Sequence, residues 1–272
     1  MSEQEEVLEG GNVNHVVRVR NTVHRPIGYW SPSVHELLRH LENQNFDGAP
    51  RFLGIDNAGR EILTYLDGEV PGDDYPELKP YMWLDDTLVN FARILRRYHD
   101  ATHGFVAISQ GRWQLSYGDD EQHEVICHND ADLYNVVFQN GSPVALIDFD
   151  MAGPGPRMWD IAYALYTSVP LASFEPDPSR ATTVSYQPGM HSANRRRRIH
   201  LFFKAYGISA PHDLKRWIIE RLTALCDVLM TGAAEGNLAF RRMVDEGHLA
   251  YYENEIQFLM DHFEEWTCEP TQ

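Results

Sequence analysis

The chain has 272 residues, of which 43% are hydrophobic and 23% charged, a composition typical of a globular protein with a sizeable core. Its formal net charge of -17 argues against a nucleic-acid or anionic-membrane partner, since either would be bound by excess Lys and Arg. An acidic start, three widely spaced cysteines and no apolar stretch of bilayer length predict a cytoplasmic protein without a disulfide framework, a structural zinc site or a membrane span.

The first 66 residues predict a small lobe rich in β-strands. Segments rich in β-branched and aromatic residues lie at Val16–Val19, Thr22–Arg25 and Glu61–Tyr65. Between them, apolar residues at helical spacing predict a helix with Ser31 as its N-cap and Pro32 at its first position. The predicted order of elements is β-β-β-α-β-β.

The remaining residues, 67–272, predict a larger and mostly helical lobe. It follows a connector rich in Gly, Pro and acidic residues, Asp67–Tyr75. Apolar residues at helical spacing mark three helix faces, at residues 84–95, 214–225 and 256–266. The two lobes together predict an α+β fold.

Four consecutive arginines, Arg195–Arg198, are the one exception to the acidic character of the chain. Apolar residues follow them directly, so the run is interpreted as the solvated face of a helix. A patch that contacts phosphate is the alternative.

The most informative segment is CHNDADLYNVVFQNGSPVALIDFD, which runs from Cys127 to Asp150. Its apolar runs and its Asn-Gly turn predict a β-hairpin that brings Asp130, Asn135 and Asp148 together, with Asp150 close by. Carboxylate and amide oxygens suit Mg²⁺ that also binds phosphate, and one more acid would orient an attacking hydroxyl. The segment therefore predicts a magnesium-nucleotide site for phosphoryl transfer, with a hydrated acidic loop as the alternative.

These residues resemble the aminoglycoside phosphotransferase and choline kinase-like family of small-molecule kinases. His128, Asp130 and Asn135 match the family's H-x-D-x-x-x-x-N catalytic loop. The residues from Ile147 to Asp150 match its I-D-[FW]-[DE] metal segment. The resemblance extends over nearly the whole chain and implies a bilobal protein-kinase-like fold, with a small β-rich N-terminal lobe (1–66) and a larger, mostly helical C-terminal lobe (67–272).

The resemblance also implies a role for each matching residue. Asp130 would be the catalytic base, or the acceptor that aligns the substrate hydroxyl. Asn135 and Asp148 would hold Mg²⁺ against the nucleotide phosphates, and Asp150 would assist a second metal ion. His128 would be a buried brace for the loop. Asp160 would tie the loop to the following helix.

The nucleotide contacts in the small lobe follow the same resemblance. Gly10 and Gly11 are expected in the loop that covers the phosphates, where absent side chains let backbone N–H groups approach an anion. Thr64 and Leu66 belong to a segment that resembles the hinge, whose backbone would receive the nucleotide base.

The cation on the third strand departs from the family pattern. Kinase-like folds usually place a Lys there, but this chain has no Lys before Lys79. Arg25 is the candidate replacement, and Glu36 on the following helix is its expected partner. A guanidinium binds phosphate but is not interchangeable with an ammonium.

The sequence thus predicts a kinase that uses ATP or GTP with Mg²⁺ and phosphorylates a hydroxyl of a small molecule such as an aminoglycoside, an amino alcohol or a sugar. The missing Lys motivates an alternative from another class, a nucleotide-binding pseudokinase with a regulatory or binding role.

An aspartyl-phosphate phosphatase with Asp148 as nucleophile is disfavoured, because the helix-rich sequence after residue 150 does not supply a parallel sheet. The acidity is spread along the chain and does not identify the acceptor.

Overall fold

The structure, a computed structural model, describes residues 5–8, 16–72, 79–106, 111–177 and 179–267. The chain forms two compact units: Met1–Asp74 with Asn90–Asp160, and Tyr75–Val89 with Ile161–Gln272. The division into lobes at residues 66 and 67 stays a prediction. A sheet-rich N-terminal region followed by a helical C-terminal part gives the α+β class that the sequence predicts.

The N-terminal part of the first unit contains an antiparallel sheet of five strands. The strands are β1 Glu6–Val7, β2 Val17–Val19, β3 Thr22–Arg25, β4 Phe52–Ile55 and β5 Glu61–Thr64. They are hydrogen-bonded in the order β1-β2-β3-β5-β4, so β5 lies beside β3 although β4 precedes it in sequence. Helix α1 is formed by Ser31–Asn43 and falls between β3 and β4 in the chain. The predicted order of these elements is confirmed.

Helix α1 is held in place by its apolar face. Three of its leucines are at most 1% exposed: Leu37, Leu38 and Leu41. Burial of one such side chain contributes about 1.5–3 kcal/mol. The predicted N-cap is wrong by one residue, because the cap is Trp30, and Ser31 is already helical with its Oγ accepting the N–H of Gly28 at 2.9 Å.

The first unit also contains two short antiparallel strand pairs. They are β6 Val125–Cys127 with β9 Gly153–Gly155, and β7 Val136–Gln139 with β8 Ser142–Leu146. Asn140 and Gly141 join β7 to β8 with φ of 51° and 75°, the positive values that a type I′ hairpin turn requires. The predicted hairpin is confirmed. A Cβ at Gly153 would lie 1.7 Å from the carbonyl oxygen of Leu115, so β9 requires a glycine there.

Two helices contribute residues to both units: α2 Asp85–Thr102 and α3 Arg157–Ser168. The apolar face of α2 is fully buried at Leu88, Phe91 and Leu95. Leu84, which the periodicity assigns to the same face, precedes the helix and is 55% exposed. The helix thus begins one residue later than its apolar pattern.

The second unit is mainly helical. Its elements are the strand pair β10 Phe174–Asp177 and β11 Thr182–Ser185, and the helices α4 Pro188–Tyr206, α5 Leu214–Ala234, α6 Leu238–Asp245, α7 His248–His262 and α8 Glu264–Thr267. Its core includes Phe202, Leu222, Leu259 and Trp266, all at most 1% exposed. The helix predicted at residues 214–225 is confirmed, whereas the one predicted at 256–266 is divided between α7, which ends at His262, and α8. None of the described helices combines the length and apolar character that a bilayer crossing requires.

The four arginines lie on α4, and two of them are buried. Arg195 is 0% exposed and Arg198 is 4% exposed. Nε of Arg195 lies 3.0 Å from Oε2 of Glu175, and Nη1 of Arg198 lies 3.0 Å from Oδ1 of Asp85. The interpretation of the run as a solvated face is wrong for these two residues, because carboxylates of the same unit supply them with partners.

Candidate active site

The carboxylate of Asp160 fixes the loop that follows β6. Its Oδ2 accepts the backbone N–H of His128 at 2.7 Å, and its Oδ1 accepts that of Asn129 at 2.9 Å. Nε2 of the buried His99 lies 3.0 Å from Oδ2. Burial opposes the charged form of Asp160, but the bonds from His99 and the loop outweigh it and lower the pKa of the carboxyl. The start of the loop is therefore held by a buried anion, in the place where the sequence predicts a tie.

The ring of His128 braces the same loop from the other side. It is fully buried, and its Nε2 lies 3.0 Å from the carbonyl oxygen of Ile147, just beyond β8. The ring also packs against Phe149 with 4.7 Å between ring centroids. These contacts agree with the structural role that the sequence predicts for His128.

Asp130 and Asn135 lie at opposite ends of this loop and are bonded to each other. Nδ2 of Asn135 donates to Oδ2 of Asp130 at 2.8 Å and to its carbonyl oxygen at 3.1 Å. Asn135 ends a 3-10 turn that Asp132 caps by accepting the N–H of Tyr134 at 3.2 Å. The carbonyl oxygen of Asn135 accepts the N–H of Ile147 at 2.9 Å, which joins the loop to the residue before Asp148.

Asp148 adopts an unusual backbone conformation. It has φ 62° and ψ 67°, the left-handed region, which costs a residue other than glycine about 1–2 kcal/mol. Its side chain is half exposed, whereas that of Asp150 is 15% exposed in the 3-10 turn Phe149–Met151. Strained conformations of this kind concentrate at functional sites.

The two carboxylates meet at the guanidinium of Arg25. Nη1 of Arg25 lies 3.1 Å from Oδ1 of Asp148, and Nη2 lies 2.6 Å from Oδ1 of Asp150. Nε of Arg25 donates to Oε1 of Glu61, so each of the three nitrogens faces a different acid. Arg25 itself is 8% exposed. The structure therefore brings the predicted strand cation and two predicted metal ligands into one cluster.

The acid that Arg25 bonds on its own sheet is Glu61, and the predicted pairing with Glu36 is wrong. Arg25 and Glu61 are directly opposite each other on β3 and β5. Glu61 is 1% exposed, and its Oε2 also lies 2.6 Å from Nε2 of His35, the neighbour of Glu36 on α1. The signal that sequence reasoning missed is an acid at the first position of the strand Glu61–Tyr65, which an antiparallel pairing with β3 places opposite Arg25.

Burial and charge act against each other in this cluster. Burial opposes the charged form of Arg25, but Asp150, Glu61 and Asp148 outweigh it and raise the pKa of the guanidinium. Burial also raises the pKa of Asp150, and the charge of Asp148 adds to that shift while Arg25 opposes it. The pKa of Glu61 is lowered, because the bonds from His35 and Arg25 outweigh its burial.

Two of the other predicted nucleotide contacts, Thr64 and Leu66, lie at the end of β5 and just beyond it. Thr64 closes β5, where its N–H donates to the carbonyl oxygen of Arg51 at 2.9 Å. Leu66 lines a cavity of about 410 Å³ together with Tyr65 and Gln139. The predicted phosphate-loop residues, Gly10 and Gly11, lie outside the described residues.

The donor set fits a divalent ion that binds together with a nucleotide. In the described part of the chain, no group of three or more His, Cys, Asp and Glu side chains is arranged to hold a metal by itself. Asn135, Asp148 and Asp150 offer hard oxygen atoms, and Arg25 already sets a positive charge against both carboxylates. Mg²⁺ usually takes one or two carboxylates and completes its shell with waters and substrate phosphates. The residues present fit that pattern.

Several solved structures have a fold similar to that of this chain. An amicoumacin kinase solved with AMP-PNP and Ca²⁺ has a TM-score of 0.64 at 12% identity, over 94% of this chain and 89% of that one. A putative aminoglycoside phosphotransferase from Ralstonia eutropha has a TM-score of 0.60 at 14% identity, over 95% and 92% of the two chains. The gentamicin complex of APH(2")-IIa has a TM-score of 0.55 at 16% identity, over 99% and 92%. These neighbours show a protein-kinase-like fold.

Sequence comparison identifies the family. The family model of the phosphotransferase enzyme family APH matches residues 74–194, which include the loop of Asp130 and the segment of Asp148. The trifolitoxin immunity protein of Rhizobium leguminosarum bv. trifolii is 33% identical over 207 residues, which cover 74% of each chain. The chain, with its paired Asp130 and Asn135 and its Asp148–Asp150 segment, belongs to the APH family of phosphotransferase enzymes.

Proposed function

We propose that this protein is a kinase that transfers the γ-phosphoryl group of ATP or GTP to a hydroxyl group of a small molecule. The observation that carries the proposal is the bond between Asn135 and Asp130, in a loop that the buried Asp160 holds in place. The bond orients the carboxylate of Asp130, and the backbone bond from Ile147 to Asn135 joins the loop to the residue before Asp148. Phosphoryl transfer depends mainly on such positioning and on compensation of charge.

Each group has a part in the transfer. The carboxylate of Asp130 accepts the proton of the acceptor hydroxyl while the hydroxyl oxygen forms a bond to the γ-phosphorus. The bond from that phosphorus to the β-γ bridging oxygen breaks, and the electron pair leaves with the nucleoside diphosphate. Nδ2 of Asn135 keeps Asp130 oriented, which leaves the amide oxygen of Asn135 and the carboxylate of Asp148 to bind Mg²⁺. When bound, Mg²⁺ neutralises charge on the phosphates.

The remaining predicted residues belong to nucleotide binding in this proposal. Asp150 assists a second metal ion, and Arg25 supplies the positive charge of the third strand. Gly10 and Gly11 cover the phosphates, and the backbone near Thr64 and Leu66 receives the base. Glu36 stays a predicted contact of the nucleotide site, without the pairing to Arg25.

For the acceptor we propose a hydroxyl-bearing antibiotic or toxin, with an aminoglycoside, an amino alcohol or a sugar as the chemical class. Three similar proteins support this choice. The names of two solved structures refer to amicoumacin and gentamicin, and the relative with 33% identity is an immunity protein for trifolitoxin.

A second candidate is a nucleotide-binding immunity protein that binds without transferring phosphate. The observation that favours it is the replacement of the usual strand lysine by Arg25, whose guanidinium contacts Asp148 and Asp150 directly. Arg and Lys differ in shape and donor geometry, so a phosphate held by Arg25 is not positioned as by a lysine.

A screen for ADP release distinguishes the two candidates. Aminoglycosides, amicoumacin, trifolitoxin, amino alcohols and sugars serve as acceptors, and the shift of the melting temperature by Mg²⁺ with AMP-PNP reports nucleotide binding. For the kinase, Asp130→Asn lowers ADP release by about a hundred-fold or more and keeps the melting shift. The matched control, Asp119→Asn, changes an exposed acid that caps another 3-10 turn and leaves both readouts unchanged. A melting shift with no ADP release from any acceptor favours the binding protein, and no shift at all contradicts both candidates.

A further inference from the structure

The cluster around Arg25 has a feature that the transfer reaction does not require. The three nitrogens of the guanidinium are bonded to Glu61, Asp148 and Asp150. A single positive charge thus faces three carboxylates, and two of these are the acids to which the proposed function assigns metal ions. Arg25 already compensates the charge that a divalent ion would compensate there.

We propose that Arg25 is a resident cation of the metal site, which makes the binding of the divalent ion depend on the nucleotide. Without nucleotide, Arg25 competes with the ion for Asp148 and Asp150. With nucleotide, the phosphates give the guanidinium new acceptors and release the two carboxylates to the ion. This inference rests on the proposed function, because it takes Asp148 and Asp150 as metal ligands.

Removing Arg25 from its partners is costly. Arg25 is 8% exposed, and a buried guanidinium that loses its hydrogen-bond acceptors is strongly disfavoured. A free metal ion can take Asp148 and Asp150 but offers nothing to the two Nη groups. A nucleotide phosphate offers oxygen atoms that suit the fork of a guanidinium. Entry of the ion is therefore less costly when a phosphate enters with it.

One end of the Arg25 guanidinium is fixed, while the other can change partners. Nε is bonded to Glu61, which lies directly opposite on the neighbouring strand and is also bonded to His35. The ring of His35 is in turn stacked on Phe52, with 3.7 Å between ring centroids. The Nη groups instead reach Asp148, whose side chain is half exposed. A change of partner at the Nη end leaves the bond to the sheet intact.

An arginine at this position acts differently from a lysine. The guanidinium is planar, carries its charge at any physiological pH and points its donors in three directions, so it serves three acids at once. The ammonium group of a lysine is a compact point charge at the end of a flexible stem and lacks the planar fork of a guanidinium. Replacement of the strand lysine by Arg therefore adds contact with Asp148 and Asp150 together, and that contact is what links the metal to the nucleotide.

The test measures binding of Mn²⁺, used in place of Mg²⁺, by electron paramagnetic resonance on the full chain without nucleotide. We expect weak binding by the unsubstituted protein and binding on the order of ten-fold tighter or more for Arg25→Met, which frees both carboxylates. Arg25→Lys, which keeps the charge but not the fork, gives an intermediate affinity and serves where Arg25→Met does not fold. Asp148→Asn added to either variant abolishes the gain. The matched control is Arg60→Met, in the turn just before β5, where Arg60 pairs with Asp56 and Glu5 and the Mn²⁺ affinity stays unchanged.

A second measurement keeps this inference separate from the proposed function. AMP-PNP is expected to raise the Mn²⁺ affinity of the unsubstituted protein, and to raise that of Arg25→Met by a smaller factor, since coupling between two ligands is reciprocal and depends on Arg25. Equal Mn²⁺ affinities of the unsubstituted protein and of the folded Arg25 variants, without nucleotide, would overturn the inference and leave the kinase proposal intact. Failure of AMP-PNP to bind with Mn²⁺ in any variant would instead overturn the kinase proposal.

Discussion

Nδ2 of Asn135 donates to Oδ2 of Asp130 at 2.8 Å, so the amide and the carboxylate that the sequence places five residues apart form one unit. The donor is a neutral amide, which orients the carboxylate without adding charge beside it. The bond also leaves only the oxygen of the Asn135 side chain for a metal ion. An acid at this position would keep a metal-binding oxygen but lose the donor.

The first prediction is that Asn135→Asp lowers ADP release at neutral pH by about ten-fold or more, with partial recovery at higher pH. Two carboxylates at hydrogen-bonding distance do not both ionise readily, so the pair holds a proton that Asp130 must lose before it acts as a base. The pH profile of ADP release measures this effect. Asn140→Asp, in the hairpin turn, is the control and keeps the profile of the unsubstituted protein. An unchanged profile for Asn135→Asp would contradict the role of the pair.

The second prediction concerns the buried anion under the loop. Asp160→Asn is expected to lower the free energy of unfolding by about 3–5 kcal/mol. The substitution removes the negative charge beside His99. It also places an amide N–H group against the backbone N–H groups of the loop, which are donors as well. Urea unfolding measures the loss. Asp100→Asn, which affects half-exposed ion pairs to Arg96 and Arg157, costs about 1 kcal/mol or less. Equal losses for the two variants would show that the loop does not depend on Asp160.

Acid conditions give a second check of Asp160. Its pKa is lowered in the folded protein, so its contribution to stability is fully present above the ordinary pKa of an aspartate, about 3.9. This contribution is lost as the pH falls from the ordinary aspartate pKa through the lowered pKa of Asp160 in the folded protein. Asp160→Asn should therefore reduce the slope of unfolding free energy against pH in this acid range.

Local sequence predicted the hairpin and the loop well, because their geometry is encoded within a few residues. Asn140 and Gly141 adopt the positive φ that a two-residue turn needs, and the short apolar runs on either side pair as expected. The roles of His128 and Asp160 as supports also followed from the family spacing.

Contacts that depend on tertiary neighbours were not predictable in the same way. The partner of Arg25 is set by the placement of β5 beside β3, which the linear order of the strands does not reveal. The partner of Arg25 is therefore Glu61 and not Glu36, the acid that is nearer in sequence. The burial of Arg195 likewise depends on Glu175, 20 residues earlier in the chain, which no helical periodicity indicates.

The third prediction concerns Asp132, a carboxyl in the loop between Asp130 and Asn135. Burial raises the pKa of Asp132 to about 7, and the charge of Asp130 adds to the shift. The folded protein then binds a proton that the unfolded chain has released, so the free energy of unfolding falls as the pH rises from about 4 to about 7. Asp132→Asn removes this part of the decrease, as urea unfolding across that range would show.

The control for Asp132 is Asp119. It caps another 3-10 turn by the same kind of bond, to the N–H of Glu121, but it is exposed. Asp119→Asn should leave the pH dependence of unfolding as it is in the unsubstituted protein. The prediction fails if Asp132→Asn shows the same decrease between about pH 4 and 7 as the unsubstituted protein.

The fourth prediction separates the buried arginines of α4 from the exposed ones. Arg195→Met leaves Glu175 unpaired and removes a guanidinium that lies 4.1 Å from the ring centroid of Tyr186, so it should cost about 3–5 kcal/mol of unfolding free energy. Arg197→Met breaks an exposed pair with Asp85 and should cost about 1 kcal/mol or less. Adding Glu175→Met to Arg195→Met should recover part of the loss, because a buried pair replaced by apolar side chains leaves no uncompensated charge. The denaturant midpoints of these variants measure the losses. A loss of unfolding free energy for Arg195→Met no larger than that for Arg197→Met would mean that the buried pair does not stabilise the second unit.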